Sequence, residues 1–217
     1  MAKKDKDKKS SKKKDDKKKS SGPKLSAKDR VILEDVRGVF LYIKEPRPLN
    51  EEDKKDDDKD PQYEITVLVN DKKQSKQVAK VKALVEAVAK EASFNDPDDW
   101  LNPIKSGDSI IKKAKKRGKD PVKAMAGCTV LKLKTYYKPD IATRNNETPM
   151  QEDWEEMGFS GCYFNVSLTA KPYDHKGNEG VRLQLGNVMF RKPGERVGGG
   201  VSAKSEFADY ADEHEDD

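Results

Sequence analysis

Residues 161–190 read GCYFNVSLTAKPYDHKGNEGVRLQLGNVMF, and the first eleven of them alternate strictly. In Gly161 to Lys171, Cys162, Phe164, Val166, Leu168 and Ala170 point one way, while Tyr163, Asn165, Ser167, Thr169 and Lys171 point the other. That period of two is what a half-buried strand requires. Gly180 to Phe190 extends the pattern, with Arg182 and Gln184 on the polar side. Pro172, Tyr173, Asp174, His175, Lys176, Gly177 and Asn178 join the two runs, so the stretch predicts an antiparallel hairpin.

Moving upstream, Thr129 to Tyr137 predicts another strand. Leu131, Leu133, Thr135 and Tyr137 share one face and Lys132, Lys134 and Tyr136 the other. Arg37 to Lys44 alternates Val39, Leu41 and Ile43 with Phe40, Tyr42 and Lys44 until Pro46 and Pro48 stop it. After the charged loop Asn50 to Pro61, Tyr63, Ile65, Val67 and Val69 alternate with Glu64, Thr66 and Asn70. Asp71 is placed to cap a helix carrying Val78, Val81, Val85, Val88 and Ala92 at three- and four-residue spacing. Asn95 to Ala126, with Pro97, Pro103, Gly107 and Gly118, reads as loops and short pieces. The expected fold is mainly β: a small, closed or partly closed barrel of about five or more strands with one inserted helix, since strands this short must hide their edges.

Charge is segregated along the chain. Residues 1–20 hold eleven Lys and four Asp, a net +7, and 205–217 hold seven acids and no Lys or Arg, a net −7, which leaves the body at +5. With 39% of 217 residues charged, these ends are expected to be disordered. The domain reading is a Lys-rich tail at 1–23, one folded domain at 24–197, and a Gly hinge (Gly198, Gly199, Gly200) with an acidic tail at 198–217. Sign asymmetry of this kind points to a polyanion partner or to solubilising tails. Cys128 and Cys162 fit neither a disulfide framework nor a zinc site, and no apolar run approaches a membrane span, so a cytoplasmic protein is expected.

Binding an unpaired strand needs cations to follow phosphates and flat rings to stack on bases. The outward strand faces supply both. The stacking candidates are Tyr42, Tyr136 and Tyr163, and the cation candidates are Lys44, Arg47, Lys132, Lys134, Lys171 and Arg182. Lys112, Lys113, Lys115 and Lys116 form a further basic cluster that either meets phosphate or is a solvated face. An exposed Tyr on a strand also serves simply to cover a cross-strand neighbour. Trp100 is read as a loop anchor. His175 in a turn and His214 in the acidic end make no catalytic set, Pro193 to Gly200 lacks phosphate-loop spacing, and the acids of Asn50 to Pro61 are interleaved with Lys. No enzyme activity, metal or cofactor is expected. A protein-interaction or chaperone-like scaffold is the second reading and a metal-dependent nuclease the third.

Gly161 to Gly200, GCYFNVSLTAKPYDHKGNEGVRLQLGNVMFRKPGERVGGG, resembles the C-terminal half of a phage single-stranded DNA-binding protein family typified by the Enc34 phage protein. GVFLYIKEPRP at Gly38 to Pro48 and YEITVLVNDK at Tyr63 to Lys72 resemble its opening strands. The resemblance implies an oligonucleotide-binding (OB) fold and non-specific single-stranded DNA binding in phage replication, recombination or repair. It also implies an acidic tail that contacts partner proteins or competes for the DNA site, here Glu206, Phe207, Asp209, Tyr210, Asp212, Glu213, Glu215, Asp216 and Asp217. Residues 1–20 lie outside the family pattern and Asn95 to Ala126 departs from it. Oligomeric state stays open, a homodimer included.

Overall fold

The computed structural model describes residues 23–49, 51, 54, 60–94, 100–175 and 178–198. The Lys-rich head, the acidic tail, Gly199 and Gly200, Pro97 and most of the loop after Asn50 lie outside the described residues. Within them the strands are β1 (Val31–Arg47), β2 (Gln62–Asn70), β3 (Ile104–Ser106), β4 (Cys128–Thr135), β5 (Ile141–Ala142), β6 (Tyr163–His175) and β7 (Asn178–Lys192). The helices are α1 (Ser75–Glu91), α2 (Gly107–Lys116) and α3 (Asp153–Met157), with a 3-10 turn at Lys123–Met125.

Antiparallel pairing joins β1 to β2, β2 to β4, β1 to β6 and β6 to β7. A short parallel pairing of β4 with β7, Leu133 with Leu183 and Lys134 with Gln184, closes the ring. The result is a closed five-stranded barrel in the order β1-β2-β4-β7-β6, an OB-fold-like arrangement. β3 covers the part of the β4 edge at Thr129 to Leu131 that β7 does not reach, and β5 pairs with β7.

The alternation of Cys162, Phe164, Val166, Leu168 and Ala170 is realised: all five side chains are buried inside the barrel with Leu131, Leu133, Leu183 and Leu185. One end is plugged by α1, whose Val78, Val81, Leu84, Val85 and Val88 join the same core. Each such side chain stabilises the fold by about 1.5–3 kcal/mol relative to exposure. Asp71 does not cap this helix. Gln74 holds the N-cap position with no side-chain cap bond, and Asp71 Oδ1 instead accepts from the Thr129 hydroxyl at 2.6 Å. Trp100 does anchor its loop, stacked on Phe94 at 6.0 Å and packed on the core.

β1 is longer than its alternation predicts because it bends twice. Asp35 and Phe40 adopt positive φ (49° and 53°) at slips of the pairing between Leu33 and Val36 and between Val39 and Tyr42, and the pairing slips once more between Tyr42 and Arg47. Such bulges let one strand serve two neighbours around a tight barrel. The first is held by Gln74, whose amide donates to the Glu34 and Asp35 carbonyls, and by Gln77, which accepts from Glu34 N at 2.7 Å. The second breaks the expected face. Val39 opposes Thr66 on the outside of the barrel, while Ile43 stays in the core. Between the bulges Gly38 is pressed on Phe164, where an added Cβ would lie 2.7 Å from the ring.

The stretch Asn95 to Ala126, expected to be irregular, carries β3 and α2. Ser106 caps α2 through Ser109 N, and Lys113, Lys115 and Lys116 complement the dipole in its last turn. Ile110 and Ile111 pack on a second, outer cluster of Val39, Leu68, Met125, Cys128 and Val130. Cys128 and Cys162 are free, and burial raises both thiol pKa values.

Candidate nucleic-acid interface

The outward face of β2 and β4 is not flat. Phe40, Tyr42 and Arg47 rise on one side from β1, Leu101 to Lys105 and α2 close the end by β3, and the β6–β7 arms rise on the side of β7. Together they enclose an open groove of about 1370 Å³. Tyr42, Arg47, Lys132, Lys134, Tyr136, Lys171 and Arg182, all expected at a binding surface, line it. So do Phe40, Lys105, Tyr137 and Tyr173, which sequence reasoning left out of the site.

The groove therefore presents six cations, Arg47, Lys105, Lys132, Lys134, Lys171 and Arg182, against two carboxylates, Glu64 and Asp174. Of its rings, Phe40, Tyr136 and Tyr137 are 46%, 51% and 77% exposed, and Tyr42 and Tyr173 are half-buried. Tyr137 was expected on the inner face, but β4 ends at Thr135 and frees it. Tyr173 was read as part of a turn, yet the arms stay paired to His175 and Asn178, so its ring belongs to a strand. It packs against Gly180, where an added Cβ would meet the Leu101 carbonyl at 2.7 Å and the Tyr173 ring at 3.0 Å. Leu101 N donates to the Glu179 carbonyl at 2.9 Å, tying the β3 segment to the hairpin arm and bounding the groove there.

Electrostatically the floor centres on Glu64. Its carboxylate is buried and meets Lys132 Nζ at 2.8 Å, Lys134 Nζ at 3.6 Å and Arg47 at 3.8 Å. Burial pushes the Lys134 ammonium pKa down and Lys132 adds to that, while Glu64 opposes both. Lys171 and Arg182 stand directly opposite each other across β6 and β7, a like-charge pairing that an anion between them relieves. Gln184 also lines the groove, and its Oε1 is buried with no hydrogen-bond partner among the described residues.

Six of the expected contact residues fall elsewhere. Lys44 donates to Gln151 Oε1 at 3.0 Å and lies over the Trp154 ring. Tyr163 opposes Arg37, is covered by Lys192 at 5.1 Å and touches Gly194, on a different sector of the barrel. Lys112, Lys113, Lys115 and Lys116 are exposed on α2 without lining the groove. Among the described residues no cluster of His, Cys, Asp and Glu is placed to hold a metal ion, and no helix is long and apolar enough to cross a membrane.

A family model described as Enterobacter phage Enc34, ssDNA-binding protein, matches residues 29–217. Among solved structures, a C-terminal truncation of the single-stranded DNA-binding protein from bacteriophage Enc34 is similar at 19% identity. Its TM-score is 0.62, over 77% of this chain and 87% of that one. The same phage protein in complex with ssDNA gives 19% identity and a TM-score of 0.61 over 78% and 89%. A further structure of the single-stranded DNA-binding protein from bacteriophage Enc34 gives 18% and 0.61 over 82% and 89%. No curated protein matches the chain.

Proposed function

We propose that this chain, which belongs to the family of the Enterobacter phage Enc34 ssDNA-binding protein, binds single-stranded DNA in the groove over β2 and β4, with little sequence preference and without catalysis. The observation that carries the reading is the groove itself, where six cations stand among five aromatic rings. Cations following the backbone give salt-dependent affinity, and each stacked base contributes about 1–3 kcal/mol whatever its identity. The rings are spread over β1, β6 and the segment after Thr135, so several successive bases have a surface to meet. A duplex, whose bases are already stacked, gains only the phosphate contacts.

The folded unit is assigned to residues 24–197. The acidic end, Glu206 to Asp217, is read as a nucleic-acid mimic that occupies the groove when DNA is absent or docks replication and recombination proteins. Its charge and its Phe207 and Tyr210 support this. So does the route of the chain. After β7, Arg37 binds the Glu195 carbonyl and Val197 N donates to the Ser160 carbonyl, and Gly198 ends beside Phe40, which also lines the groove. The setting is phage DNA replication, recombination or repair in the host cytoplasm.

Titrating fluorescent single-stranded DNA, duplex DNA and RNA oligonucleotides across a salt series tests the reading. Tight single-strand binding with a steep loss of affinity in salt and a clear preference over duplex is expected. Equal affinity for single strands and duplex would refute it.

A further inference from the structure

Glu64 is unusual in this groove. Its side chain is 4% exposed, whereas those of Arg47, Lys132 and Lys134, which touch it, are 46%, 46% and 45% exposed. The carboxylate thus lies beneath three cations whose upper surfaces remain open. It stands opposite Lys134 in the β2–β4 pairing and diagonal to Lys132, so strand register fixes it under both.

We infer that Glu64 is a positioning residue for single-stranded DNA: from beneath, its carboxylate holds the Arg47, Lys132 and Lys134 heads together as one charged layer on which phosphates land. The inference rests on the single-strand reading proposed above. Three like charges brought this close repel, and burial disfavours the charged form of Lys134. Lys134 faces Arg47 from β1, Glu64 from β2 and Lys132 on its own strand, and Lys171, Asp174 and Arg182 of the hairpin line the same groove. Among the groups that act on Lys134, Glu64 favours its charged form and Lys132 and Arg47 disfavour it. Without the carboxylate, Lys134 sheds its proton at lower pH, and the layer loses both its order and one charge.

This gives a sign opposite to that of simple charge counting. Removing an acid from a basic groove would ordinarily strengthen DNA binding. Here the full-length Glu64→Gln variant is expected to bind single-stranded DNA about fivefold more weakly near 0.1 M salt, with a salt slope shallower by about 0.7, the value of one lost phosphate contact. Its affinity should also fall as pH rises, starting at a lower pH than in the parent chain and below the ordinary lysine value of about 10.4. Lys134→Arg added to that variant should restore slope and pH resistance, because a guanidinium keeps its charge when buried.

Tighter binding with a steeper slope would overturn the inference, and so would a loss that Lys134→Arg does not rescue. Absence of single-strand binding by the parent chain would instead refute the proposed function itself. A melting curve checks that Glu64→Gln folds. Were it unfolded, Glu64→Asp, which keeps the charge, is expected to retain the parent slope and pH profile, and a change in either would count against the role assigned to Glu64.

Discussion

At the scale of single residues, alternation tells a strand which side chains point outward but not where on a closed barrel they point. Tyr163 and Lys171 share the outer face of β6, yet Tyr163 sits where β6 pairs with Arg37 of β1, and Lys171 reaches the groove at the other end of the strand. Parity was legible in the sequence; the sector was not, because it depends on strand order and bend. Tyr137 shows the complementary failure, since parity extended past the end of β4 put it inside. The rings should separate accordingly. Tyr136→Ala and Tyr137→Ala are each expected to weaken single-strand binding by about 1–3 kcal/mol with little change in melting temperature, as exposed rings that stack on bases. Tyr163→Ala, which uncovers Lys192 and Gly194, should lower stability by about 1 kcal/mol and leave affinity nearly unchanged. Anisotropy titrations and thermal melts on the three variants check this, and an affinity loss at Tyr163 equal to that at Tyr136 would move the site off the groove.

At the scale of elements, what the sequence made legible were the strands whose inner residues alternate without interruption, β4, β6 and the first part of β7 to Leu185, and the Val-rich stripe of α1. β1 was legible only in part. Its bulges fall at Asp35 and Phe40, and neither a bulky aromatic nor an acid announces positive φ as Gly does. α2 was hidden for a different reason. GDSIIKKAKK is short, flanked by Pro and Gly, and has only two large apolar residues, which make sense once the outer cluster of Val39, Leu68 and Val130 exists to receive them. Tertiary context supplies that helix. The Phe40 bulge is itself testable, because its backbone and its ring serve different ends. Phe40→Gly should keep or slightly raise the melting temperature, since glycine adopts positive φ without strain, while it weakens single-strand binding by loss of the ring. Phe40→Val should cost about 1–2 kcal/mol of stability, as a β-branched residue is least tolerant there. If both variants melted alike, the bulge would not be setting the path of β1.

At the scale of the whole molecule, the body and the ends divide the electrostatic work. The family match begins at residue 29 and runs to 217, so the acidic end falls within the shared pattern and the Lys-rich head outside it. A head of net +7 without aromatic rings adds phosphate contacts but no stacking, and removing residues 1–20 should make the salt slope shallower while preserving the preference for single strands over duplex. On the proposal that the acidic end occupies the groove, its net −7 acts in the opposite sense to the head. The last described residue, Gly198, lines a pocket with Phe40, which also lines the groove, so an acidic end joined here would have an effective concentration on the order of millimolar. DNA must then displace a competing polyanion, and that competition is strongest where charges are least screened. Deleting residues 201–217 is therefore expected to tighten single-strand binding by on the order of tenfold near 0.05 M salt, with the advantage vanishing towards about 0.5 M as the screening length shortens to a few ångströms. Fluorescence titrations of the full-length and shortened chains at matched ionic strengths decide it. An affinity gain that persists unchanged at high salt would mean that the end acts by something other than charge, and no gain at low salt would leave it as a docking arm for partner proteins alone.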